Sequence, residues 1–130
     1  MQLPSLLRET APTLFAAVIK RGEEFELVRR PPGLRKRAHK ACFANAMNVV
    51  MARDGLRYAE GFALMSVAWL HHAWVVDGDN HAIEVTWEPP GLRYFGVTLT
   101  PTEAAQRITH PDGRWGSCFD VPVKGRLRRH

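Results

Sequence analysis

The tetrapeptide Asp77-Gly78-Asp79-Asn80 constrains this chain more than any other feature. Asp and Asn bond their own backbone and tolerate left-handed geometry, and Gly adopts positive φ without a steric cost. On either side stand two apolar runs, WLHHAWVV at 69–76 and HAIEVTW at 81–87, rich in β-branched and aromatic residues. Such runs joined by a tight turn predict an antiparallel hairpin.

The hairpin carries chemistry. In an antiparallel pair, directly opposed residues have a constant sum of numbers. A three-residue loop at 77–79 sets Val76 against Asn80, Trp74 against Ala82 and His72 against Glu84. Opposed residues share a face, with Cβ atoms about 5 Å apart, so the imidazole and carboxylate can bond. The carboxylate would fix the ring tautomer and favour the imidazolium. A two-residue turn is equally compatible with Asp-Gly and moves Glu84 to the other face. His71 points away from His72 and would replace it if the register slipped.

Further elements follow from pattern. Residues 11–20, after Thr10 as cap and with Pro12 in the first turn, predict a short helix. EFELV within 23–30 predicts a short strand. ACFANAMNVVMARD at 41–54 predicts the central helix, with Gly55 as its stop. Strands are expected at 56–65 and 93–99. Thr100-Pro101-Thr102-Glu103 is a capping box with proline in the first helical position, opening a helix to about Ile108. Strands in succession through tight turns imply an α+β fold with an antiparallel sheet. The 130 residues, 45% hydrophobic and 24% charged, fit one globular domain spanning 1–130.

Eighteen Lys/Arg against 13 Asp/Glu leave a net charge of +5. Six of the cations, Arg29, Arg30, Arg35, Lys36, Arg37 and Lys40, crowd the loop 29–40, which Pro31-Pro32-Gly33 keeps from being helical. A basic tail follows at 124–130. The loop is either a solvated surface or a contact for an acidic or nucleic-acid partner. No run reaches 18 apolar residues, and no basic segment precedes an apolar one at the start, so a cytoplasmic location without a membrane span is expected. Two cysteines, Cys42 and Cys118, make neither a disulfide framework nor a metal pattern, and no cofactor or metal is expected.

Cys42 is the second residue of the expected central helix. Unpaired N–H groups and the dipole at a helix start, with the basic loop before it, favour a thiolate nucleophile. The alternative is a small buried hydrophobe, the common role of a cysteine. His72 alone is more often structural and Glu84 alone more often a surface carboxylate. Together, Cys42, His72 and Glu84 form the set that nucleophilic acyl chemistry requires.

These pieces resemble the transglutaminase-like, papain-fold superfamily of cysteine enzymes. The likeness is carried by Cys42-Phe-Ala-Asn-Ala opening a helix, the link from Gly55 to Gly61-Phe62, His72-Ala-Trp74, and Glu84-Val-Thr86-Trp87, over residues 40–87. It implies a papain-like core with the Cys helix packed on an antiparallel sheet. It also implies that Cys42 attacks an acyl carbonyl of a peptide or protein substrate, His72 shuttles the proton and Glu84 orients His72, through an acyl-enzyme without a metal. Hydrolysis by a peptidase or amidase is the preferred chemistry; acyl transfer, glutamine deamidation and an inactive binding module on the same fold are the alternatives. The family usually has Asp where Glu84 stands. Asn45, one turn after Cys42, is either an oxyanion or substrate contact or a buried polar strut. Trp74 and Trp87 either wall the site or fill the core. Cys118 reads as a spare thiol, and Glu60 is an oddity on an apolar strand.

Overall fold

A computed structural model describes residues 3–120 of the chain; the basic tail at 124–130 lies outside them. The elements are α1 (Leu6–Thr10), α2 (Pro12–Arg21), β1 (Glu23–Phe25), β2 (Leu27–Val28), α3 (Cys42–Ala52), β3 (Arg57–Met65), β4 (Ala68–Val76), β5 (Ala82–Ile83), β6 (Arg93–Leu99) and α4 (Pro101–Ile108). The fold is mixed α+β.

One sheet of six strands runs in the order β1-β6-β3-β4-β5-β2. All pairings are antiparallel except that of β2 with β5, which is parallel. The wholly antiparallel sheet expected from the tight turns is corrected at this edge. Its two outermost strands, β1 and β2, are separated in sequence by Glu26 alone. A chain that pairs with both margins of a sheet within six residues draws those margins together, so the sheet curls nearly closed.

Strand β3 is central and shows why the two faces differ. Tyr58, Glu60 and Phe62 point to one face and Ala59, Gly61 and Ala63 to the other, the strand's period of two. The bulky face joins Leu14, Val18, Ala46, Met47, Val49, Val50, Val75 and Leu99 in the main core beneath the helices. The small face leaves room for large rings: Trp74 opposes Ala59, His72 opposes Gly61, and Ala63 opposes Tyr94. Trp74, Tyr94 and Phe25 pack there as a second cluster. Gly61 also opposes Gly96 on β6, and a Cβ on Gly61 would meet the Phe95 carbonyl oxygen at 2.3 Å.

The ends of elements depart from expectation in three places. Thr10 closes α1, an element the sequence did not signal, and does not cap α2. The Asp120 carboxylate accepts from the Thr13 and Leu14 amides at 3.0 and 3.3 Å instead, so α2 is capped from far along the chain. Helix α3 stops at Ala52, and Gly55 (φ +84°) serves the turn into β3 rather than the helix terminus. The Thr100–Glu103 capping box forms as expected.

Gly61→Ala drives a methyl into fixed backbone rather than into a flexible side chain. Overpacking of this kind costs about 1–3 kcal/mol, which urea unfolding followed by tryptophan fluorescence will read as a lower midpoint with an unchanged slope.

Candidate active site

The hairpin keeps the parity of the expected register with a longer loop. Val76 opposes Ala82 and Val75 opposes Ile83, leaving a loop of residues 77–81. The Asp77 carboxylate accepts from the Asp79 and His81 amides at 2.9 and 2.8 Å and holds that loop together. The register therefore slips by two from the three-residue turn, and His72 and Glu84 are diagonal rather than opposed. A slip of two preserves the face, and diagonal neighbours remain within reach of long side chains. The extra methylene of Glu over Asp suits that longer span.

The expected strand at 81–87 is also shorter, ending at Ile83. The amides of Thr86 and Trp87 donate to Glu84 Oε2, both at 2.9 Å, instead of to a neighbouring strand. The carboxylate takes the ladder's place and turns the chain.

Glu84 is thus a hub. His72 Nε2 lies 3.0 Å from both carboxylate oxygens, and the Tyr94 hydroxyl donates to Oε1 in a short hydrogen bond. His72 and Glu84 are 1% and 2% exposed, so this is a buried pair. Burial raises the Glu84 pKa, but the His72 bond and charge, the Tyr94 hydroxyl and the Trp87 amide outweigh it, and the net shift is downward. Burial, then the Glu84 charge, pushes Tyr94 far above its usual range and keeps it a donor. An ionised carboxylate can only accept, so His72 donates from Nε2, and among the described residues no hydrogen bond engages Nδ1. Trp87 stacks on the His72 ring, with centroids 3.5 Å apart.

Cys42 opens α3, as expected, and is partly exposed. The amides of Ala73, one residue beyond His72, and of Phe43 lie near the Cys42 sulfur and act to lower its pKa. Among the described residues, no hydrogen bond joins this sulfur to an imidazole. The expected low pKa is not found. Burial pushes the Cys42 thiol up to about 11, and the Glu60 and Glu84 carboxylates add to the rise; the two amides offset only part of it. The helix start supplies donors, but desolvation of the sulfur wins.

His71 faces the α3 side, and there it meets Glu60 at 2.6 Å and the Phe43 ring at a centroid distance of 5.2 Å. Glu60 also accepts from Tyr58 Oη (2.7 Å), the Cys118 amide (2.9 Å) and, through a short bond, Ser117 Oγ. The oddity on the apolar strand is therefore a second carboxylate–imidazole pair, on the opposite face of β4 from the first, with Glu60 buried and the His71 ring partly exposed.

Asn45 is a strut. Its amide nitrogen donates to Ala38 O at 2.6 Å and to Thr86 Oγ1 at 3.0 Å, which occupies both hydrogens and leaves none for an oxyanion. Trp74 is wholly buried among Phe25, Tyr94 and Gly96. Cys118 is buried, and burial raises its thiol to about 12, so it is an inert thiol. Tyr94 is the contributor the sequence reading missed. It sat in the expected strand at 93–99 with a polar tip, but nothing local says that β6 lies two strands from β4. A groove of about 590 Å³ is lined in part by Arg29, Arg30, Glu84 and Glu88. Arg30 donates to the Glu84 carbonyl oxygen at 3.4 Å.

Comparison with protein-family models, with curated proteins and with solved structures finds no match. No helix among the described residues is long and apolar enough to cross a membrane.

Two titrations follow. Glu84 has a depressed folded pKa, so its contribution is present above about 4.3, the value in an unfolded chain, and is lost as pH falls through the lower folded value. Glu84→Gln should flatten the acid limb of stability against pH in thermal unfolding scans. Cys42 has a raised folded pKa of about 11. Its alkylation by iodoacetamide, read by mass spectrometry, should be slow at pH 7 and climb toward pH 11 in the folded protein.

Proposed function

We propose that this protein is a cysteine-dependent hydrolase of peptide or side-chain amide bonds, with Cys42 as nucleophile, His72 as base and Glu84 as the group that orients the base. The observation that carries this reading is the buried His72–Glu84 pair, which commits Nε2 and leaves Nδ1 as the one ring atom able to accept a proton. The Ala73 amide supports it by bringing the Cys42 sulfur beside the residue next to His72. Resemblance of the short motifs to the transglutaminase-like superfamily points the same way.

With the thiol neutral at rest, the proton leaves in the attack itself. Cys42 Sγ–H passes its proton to His72 Nδ1 as sulfur bonds to the acyl carbon. The carbonyl oxygen gains negative charge, and the Phe43 and Ala73 amides beside the sulfur are the donors at hand. The imidazolium then protonates the leaving amine as the C–N bond breaks, giving a thioester on Cys42. Water, deprotonated by His72, hydrolyses it and restores the thiol. Transfer to an amine instead of water, or deamidation of a glutamine, uses the same intermediate.

A second reading is a binding module on the same fold without turnover. The raised Cys42 pKa favours it.

Screening peptide and amide substrates while trapping the acyl-enzyme by intact mass separates the two. Cys42→Ala should abolish the adduct. His72→Gln keeps a donor to Glu84 but has no base, and should lower turnover about 10²–10⁴-fold, the usual worth of general base catalysis. Glu84→Asp, too short for the diagonal span, should retain the fold and lose about tenfold or more in rate. His71→Gln should change turnover far less than His72→Gln. No adduct and no Cys42-dependent turnover with any substrate supports the binding module, and turnover lowered equally by His71→Gln and His72→Gln would contradict His72 as the base.

A further inference from the structure

A cavity of about 340 Å³ lies between the loop after Pro32 and the C-terminal half of α3, lined by Gly33, Leu34, Arg35, Arg37, Val49, Ala52 and Arg53. Three of these seven residues are arginines and none is acidic. Among the described residues, no ion pair involves Arg35, Arg37 or Arg53. Arg30 and Arg93, by contrast, both pair with glutamates.

The Arg53 guanidinium lies against the loop, and the loop backbone that carries Arg37 is fixed. Gly33 takes φ +87°, and a Cβ there would meet Arg53 Nη2 at 3.3 Å, so that guanidinium lies over the glycine at the cavity wall. The Arg37 amide donates to Val85 O at 2.7 Å, and Asn45 holds Ala38 O at 2.6 Å, so the loop backbone is pinned at residues 37 and 38, beside the cavity. Three arginines border one cavity, and no carboxylate is among its lining residues.

We propose that this cavity is a binding site for a phosphate-bearing anion, separate from the Cys42 site and independent of its chemistry. A guanidinium presents its N–H donors in a planar fork that matches phosphate oxygens in pairs. Three forks exceed what the two oxygens of one carboxylate can accept, whereas a phosphate or short polyphosphate chain offers three or more terminal oxygens. The volume is that of a small-ligand pocket, and Leu34, Val49 and Ala52 supply an apolar wall beside the charged one.

The test is isothermal titration of the full chain with pyrophosphate, with citrate as a carboxylate of comparable charge. Saturable one-to-one binding is expected, at least tenfold tighter than citrate and unchanged by Cys42→Ala. Arg37→Gln and Arg53→Gln should each weaken it at least tenfold. Arg8→Gln, on a different surface, should leave it intact, and circular dichroism should show every variant folded. Non-saturable binding, equal binding of citrate, or an equal loss in Arg8→Gln would overturn the proposal, because each is what general attraction to a basic protein produces.

Discussion

The Glu84 carboxylate is the constraint around which the second face of the sheet is arranged. A buried charge survives only if donors replace its lost water. Here four groups do so: the His72 ring, the Tyr94 hydroxyl and the amides of Thr86 and Trp87. These donors come from β4, β6 and the turn that Glu84 itself makes. One carboxylate thereby fixes where β5 ends, how Trp87 comes to stack on His72, and which face of the curled sheet can take polar rings.

The sheet makes room for this arrangement through β3. Ala59, Gly61 and Ala63 give up side-chain volume beneath Trp74, His72 and Tyr94, and Gly96 takes Trp74 against its backbone. The other face of β3 carries Glu60, whose four donors mirror those of Glu84 and fasten Ser117 and Cys118 to the core. Adjacent histidines on β4 thus serve two carboxylates on opposite faces. The Cys42 sulfur feels both negative charges in addition to its own burial, and is held as a thiol.

Much of this was legible where local chemistry decides structure. The Asp77-Gly78-Asp79-Asn80 turn, the capping box at Thr100, Pro12 in the first turn of α2 and the strand at 93–99 follow from residue type and period alone. So did the shared face of His72 and Glu84, because parity survives a slip of two. What was not legible depends on distant partners. The five-residue loop arises from the Asp77 carboxylate binding two later amides, and the cap of α2 comes from Asp120. The place of β6 between β1 and β3, and so the role of Tyr94, needs the whole sheet order. The thiol pKa was misjudged because helix-start donors can be read from position, whereas the desolvation that exceeds them cannot.

The account turns on which nitrogen of His72 holds the proton. Long-range ¹H–¹⁵N correlation of the imidazoles near neutral pH, with His72 assigned through His72→Gln, reads it directly. A proton held on Nε2, and no longer fixed there in Glu84→Gln, is the predicted result. A neutral ring with its proton on Nδ1, or a fast mixture of both tautomers, would contradict the account, since Glu84 would then not fix the His72 ring as the proposed base needs.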